Sequence, residues 1–182
     1  MRKCALVTVA VAIGLLTAAG LDADSATAVI QVSANVRKNC LITTTAVAYG
    51  AYDPVGSNAT APLDATGTVV LTCTKGTSAS IGLDGGANAQ GPTRRMSSGA
   101  AATGGGPGRG GGGGGGTAYL TYELYQDNAH TIVWTDNGNG MLTVPTAPSK
   151  DPRSFTVFGR VPGSQDVPVG NFNDSVVATV NF

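Results

Sequence analysis

Three cysteines (Cys4, Cys40, Cys73), a single histidine (His130) and a single glutamate (Glu123) are the residues of this 182-residue chain with the most chemistry in them. Their spacing assembles none of it. A cysteine nucleophile needs a neighbouring base, and the only imidazole follows Cys73 by 57 positions. A structural zinc site needs four clustered ligands, which one histidine and scattered cysteines do not supply. Paired-carboxylate chemistry would have to recruit aspartates, most of which sit beside Gly, Pro or Asn in turn-like sequence. Asp136, Asn137 and Asn139 offer oxygen ligands for calcium, but Gly138 breaks the alternating pattern, and a hairpin turn accounts for residues 136–140. His130, after Asp127-Asn128-Ala129, reads as a solvated turn residue. No Gly-x-Ser-x-Gly nucleophile elbow occurs outside low complexity. Residues 104–116 hold eleven glycines in thirteen positions, so any match to a phosphate-binding glycine loop there is automatic, and no Gly-Lys-Ser/Thr or βαβ unit accompanies it. The chain is therefore expected to be no enzyme, with no catalytic residues, no cofactor and no metal site.

The aromatic residues Tyr119, Tyr122, Tyr125 and Trp134 invite a sugar-stacking reading. Alternation instead puts Leu120, Tyr122 and Leu124 on one face of a strand, with Tyr119 and Tyr125 opposite, which is the pattern of core packing. Composition agrees with a strand-built domain: 42% of residues are apolar, only 12% are charged, and Gly, Ala, Val and Thr dominate. Eleven basic residues balance eleven acidic ones with no local block of charge, which argues against nucleic acid as a partner.

Positive charge at Met1-Arg2-Lys3 precedes an apolar run over residues 4–19 and then small residues, the layout of a secretory signal. The run stops short of the roughly 20 apolar residues that span a bilayer, so no permanent membrane anchor is expected. Cleavage is expected after Ser25, so that residues 1–25 are the signal, with cleavage after Ala28 the alternative. Removal leaves Cys40 and Cys73 alone in an oxidising compartment, where they should pair. Closing that loop removes roughly 3 to 4 kcal/mol of unfolded-chain freedom.

Ala26, Ala28, Ile30, Val32, Ala34 and Val36 share one parity, a strand pattern with one apolar face over residues 26–36. Val176, Ala178, Val180 and Phe182 repeat the pattern to the last residue, which is read as still in the strand. Further strands are expected at 41–49, 68–74, 79–83, 119–126, 131–135, 141–144 and 155–161. Turn chemistry separates them, as at Asp53-Pro54, Asp84-Gly85-Gly86 and Pro162-Gly163. About eight or nine short strands with no helical period predict a β-sandwich. The glycine-rich stretch, 99–116, is expected to be a flexible loop between strands.

Several motifs in order carry a resemblance. Ile30-Gln31-Val32-Ser33-Ala34-Asn35-Val36 running to Asn39-Cys40, then Tyr49-Gly50-Ala51-Tyr52-Asp53-Pro54, then Val70-Leu71-Thr72-Cys73-Thr74 resemble the spore coat protein U domain family, which includes subunits of archaic chaperone-usher pili. The resemblance continues through Thr93-Arg94-Arg95-Met96, Leu120 to Tyr125 with Trp134, Phe155-Thr156-Val157-Phe158-Gly159-Arg160-Val161-Pro162 and Val169-Gly170-Asn171-Phe172 to Phe182. The stretch from Gly99 to Gly116 is longer and more glycine-rich than the connection the family usually has there.

The resemblance implies an all-β, incomplete immunoglobulin-like β-sandwich that lacks its last strand and is completed by donor-strand exchange. Residues 37–182 would be the pilin domain and residues 26–36 the donor strand, with Ala28, Ile30, Val32, Ala34 and Val36 as the inserted face. Val176, Ala178, Val180 and Phe182 would border the groove. Strand addition of this kind pairs backbones while alternate side chains fill pockets. Only Arg37-Lys38-Asn39 separate the segment from Cys40, with no glycine for a tight reversal, so another molecule is the expected recipient. The implied function is a structural subunit of a surface pilus or fimbria, serving adhesion or biofilm formation. The alternatives are a spore or cell-surface coat protein and a receptor-binding adhesin. The implied partners are identical or related pilin subunits, a periplasmic chaperone and an outer-membrane usher, with export through the periplasm to the cell surface.

Overall fold

Alternation writes the central strands. β2 (Leu63–Cys73) buries Gly67, Val69, Leu71 and Cys73 and turns the intervening residues outward; β7 (Arg153–Val161) does the same with Val157, Gly159 and Val161. Between them, nine register pairs run from Leu63↔Val161 to Leu71↔Arg153. The computed structural model describes residues 24–99 and 117–182. The expected signal therefore lies outside the described residues apart from Asp24 and Ser25, as does the expected glycine-rich loop apart from Gly99.

Around the β2–β7 pair a five-stranded sheet forms in the order β1-β2-β7-β5-β4, from β1 (Cys40–Thr45), β5 (Tyr119–Tyr125) and β4 (Arg94–Ser97). A second sheet of three strands has the order β6-β3-β8, from β6 (Leu142–Val144), β3 (Ala79–Leu83) and β8 (Ala178–Asn181). Every pairing is antiparallel. The core lies between the sheets, where Leu71, Ile81, Trp134 and Val161 are fully buried and Leu120, Tyr122 and Leu124 share the inner face of β5. Cys40 and Cys73 are direct partners in the β1–β2 register, and their sulfurs are bonded at 2.06 Å.

The chain divides into two units, Met1–Asn35 and Val36–Phe182. In the first, the described residues 24–35 form no strand. The alternation of residues 26–36 calls for a strand, and among the described residues these positions carry no ladder. Ile30 and Val32 are 84% and 89% exposed.

Other expectations need correction. Residues 131–135 form no strand; Val133 makes an isolated bridge to Tyr125 because the chain there folds back over Asp127, whose carboxylate accepts the amides of Thr131 and Ile132. Residues 138–140 form a 3-10 turn rather than the tip of a hairpin. β4 was not among the expected strands. Phe182 lies beyond the end of β8. His130 is not a solvated turn residue: its backbone is left-handed (φ 56°), its side chain is only 7% exposed, and the ring packs edge-on against Tyr125 and Phe158.

Candidate functional site

β4 and β3 belong to different sheets, and Arg94 joins them. Its side chain is 3% exposed and donates to the carbonyl oxygens of Leu83 (2.8 Å), Asp84 (2.9 and 2.6 Å) and Trp134 (2.8 Å), while Nη1 pairs with Glu123. The Trp134 indole donates to Ile81 at 2.8 Å. A buried guanidinium is tolerable because its donors meet acceptors in their fork geometry and its charge meets a carboxylate.

Between residues 44–52 and 167–178 lies an open groove of about 1170 Å³. Its floor is the inner face of the five-stranded sheet, with Val69, Leu120, Tyr122, Leu124, Val157 and Val161 among its lining. Two glycines bring the first rim down onto this floor. After β1 ends at Thr45, the chain passes so close to β2 that a Cβ on Gly67 would lie 2.8 Å from the Thr45 carbonyl oxygen and from Val47. A Cβ on Gly159 of β7 would lie 2.7 Å from Val47 and would fall on Tyr49 Oη. The predicted strand 41–49 therefore keeps its ladder only through Thr45, and the remainder becomes a rim.

The second rim runs from residue 167 into β8 and alternates, with Phe172, Asp174, Val176, Ala178 and Val180 half-buried and their neighbours exposed. β8 is an edge strand of its sheet, so among the described residues its second edge has no paired strand. Unpaired backbone beside an apolar groove is a template for strand addition.

Polar ties hold the rims. Tyr122 Oη donates to Asp174 Oδ2 at 2.7 Å, and Asp174 Oδ1 accepts from the Asn88 amide and side chain. The Val177 amide donates to Asp84 Oδ1 at 2.9 Å. Tyr52 Oη donates to the Pro162 carbonyl and accepts the Gln165 amide, both at 3.0 Å. Burial, with the hydrogen bond to Asp174, holds the Tyr122 phenol protonated well above its ordinary range. Burial and then the charge of Glu123 do the same for Tyr49, whose Oη is buried without a hydrogen-bond partner. The Tyr49 and Tyr122 rings meet edge-on, with centroids 6.3 Å apart.

Of the residues singled out in the sequence, Val176 and Ala178 line the groove. Val180 pairs with Ile81 within the small sheet, and Phe182 is 53% exposed. Ala28, Ile30, Val32, Ala34 and Val36 are exposed. The sequence motifs include Tyr49 and Gly159 but give neither a role at a groove, and Asp174 and Gly67 are not named in them. Gly67 and Gly159 carried a signal, since each interrupts the inward apolar parity of a long strand. Among the described residues, no group of three or more His, Cys, Asp or Glu is placed to hold a metal ion. No helix there is long and apolar enough to cross a membrane.

The model of the Spore Coat Protein U domain family matches residues 26–179. Protein U of Myxococcus xanthus is 34% identical over 193 residues, covering 99% of this chain and 98% of that protein. Among solved structures, the crystal structure of the CsuC-CsuE chaperone-tip adhesion subunit pre-assembly complex, from archaic chaperone-usher Csu pili of Acinetobacter baumannii, contains a chain that superposes with a TM-score of 0.52 at 17% identity. The match covers 81% of this chain and 40% of that one. The Escherichia coli Hda pilus minor tip subunit HdaB matches at 15% identity over 77% of this chain and 79% of its own, with a TM-score of 0.40. The fold is an open antiparallel sheet with a smaller second sheet, an immunoglobulin-like sandwich left incomplete at the groove.

Proposed function

This chain belongs to the Spore Coat Protein U domain family, and on that premise we propose that it is a non-catalytic structural subunit of a surface pilus of the archaic chaperone-usher type. Its mature form, beginning near residue 26, polymerises head to tail. Residues 26–36 of one subunit enter the groove of the next, with Ala28, Ile30, Val32, Ala34 and Val36 inward. The single observation that carries this reading is the groove between residues 44–52 and 167–178, apolar on its floor and bordered by the free edge of β8. Burying Ile30, Val32 and Val36 contributes roughly 1.5 to 3 kcal/mol each before ordering costs.

An unfilled groove of this kind needs cover during export. A periplasmic chaperone supplies it and an outer-membrane usher exchanges it for the next subunit, so the chain reaches the cell surface, where it serves adhesion or biofilm formation. Signal removal by cleavage after Ser25 exposes the donor segment. Head-to-tail insertion is a heterologous contact, which grows a filament unless rotation closes a ring.

The family's description as a spore coat domain favours one other reading, a surface coat built from the same joints. Electron microscopy of the assembled material separates the two, as filaments or as a layer. Deleting residues 26–36 tests the joint itself. The shortened chain should not polymerise but should bind a synthetic peptide of residues 26–36, and polymers formed without that segment would require another donor.

A further inference from the structure

We propose that the Tyr49–Tyr122 pair fixes the register of the incoming strand by admitting Ala34 at its level, so that Ala34 lies opposite Asp174. This rests on the donor-strand reading above and specifies its geometry. Tyr49 reaches in from one rim, Tyr122 rises from the floor with its ring 6.3 Å away, and Tyr122 Oη is bonded to Asp174 on the other rim. Two aromatic rings thus cross the groove at the level of residue 174. A side chain pointing inward there must be small.

Among the inward residues of 28–36, the two small ones are Ala28 and Ala34. Every strand pair in the domain is antiparallel, and the strand that closes the sheet beside β8 follows the same rule. Opposed residues of an antiparallel pair face the same side. The half-buried members of the second rim are the even-numbered residues 172 to 180, which match the even-numbered inward face of the donor. Placing Ala34 opposite Asp174 sets Val36 against Phe172, Val32 against Val176, Ile30 against Ala178 and Ala28 against Val180. The free edge of β8 is then covered nearly to its end. Placing Ala28 at Asp174 instead would run the donor back to Asp166 and leave β8 bare. Alanine at position 34 is thus a specificity determinant, and Tyr49 and Tyr122 are the residues that read it.

Cysteine crosslinking in material assembled by cells expressing the full chain tests the register. Cys40 and Cys73 already demonstrate that directly opposed residues of this fold accept a disulfide. Ala178→Cys is combined in turn with Ala28→Cys, Ile30→Cys and Val32→Cys. The Ile30→Cys pair should give a reducible ladder of linked subunits, and the other two should not. A ladder from the Ala28→Cys or Val32→Cys pair would overturn the register while leaving strand donation intact. No ladder from any pair would also overturn this register, and would overturn strand donation with it only if deleting residues 26–36 left assembly unchanged. Two further variants read the tyrosines: Ala34→Leu should abolish assembly and Ala28→Leu should preserve it. The reverse pattern would show that the pair does not read position 34.

Discussion

Tyr122 Oη donates a 2.7 Å hydrogen bond to Asp174 Oδ2, so a residue of the groove floor holds the groove's second rim in place. The bond needs the phenol protonated. Folding raises the pKa of Tyr122, chiefly by burial and then by this bond, and burial raises that of Tyr49. A group with a raised folded-state pKa contributes stability that is fully present below its unfolded value, about pH 10 for tyrosine, and lost as the pH climbs beyond it. Urea unfolding between pH 7 and 11 should therefore show stability falling above about pH 10, with a shallower fall in Tyr122→Phe. A decline of equal steepness in the variant would remove Tyr122 from the cause.

Arg94 should tolerate no replacement. Arg94→Ala leaves Glu123 without its cation and three carbonyl oxygens without donors, at a cost of about 3 to 5 kcal/mol. Arg94→Lys keeps the charge but not the planar fork, and should still lose about 1 to 3 kcal/mol. The midpoint of urea denaturation measures both.

Gly159→Ala should push the first rim off the floor, since the new Cβ falls on Val47 and Tyr49. Overpacking of this kind costs about 1 to 3 kcal/mol. Tyr49→Phe makes the contrasting case. The hydroxyl it removes is buried and unpaired, so stability should be unchanged or higher. Thermal unfolding of the two variants side by side checks the pair.

Replacing both Cys40 and Cys73 by serine should cost about 2 to 5 kcal/mol. The bridge fastens the first residue of β1 to the last residue of β2, so its loss should loosen β1 first. Hydrogen exchange at Leu41 to Thr45 should accelerate ahead of exchange at Val69 and Leu71.

The long strands were legible because one face of each is buried along its whole length. Val69, Leu71 and Cys73 announce theirs by alternation, as do Leu120, Tyr122 and Leu124. β4 was not, because its sequence Arg-Arg-Met-Ser buries an arginine, and burial of a charge depends on partners that only the folded chain brings together. His130 was misread for the same reason: nothing adjacent in sequence forecasts the rings of Tyr125 and Phe158. The segment 26–36 shows the opposite limit. Periodicity there identifies a face that seeks burial, but it does not supply the surface against which burial happens, and residues 24–39 carry no ladder. The groove's first rim lay hidden because the close approach at residues 45–49 is set by glycines on two other strands.

The mass of particles formed by the mature chain, measured beside that of its Val32→Asp variant, tests whether one subunit completes the next. A charge at position 32 would have to enter an apolar groove unpaired. Polymers of the native chain and monomers of the variant are the expected result. Polymers of equal length from both, or a native chain that remains monomeric at every concentration, would contradict it.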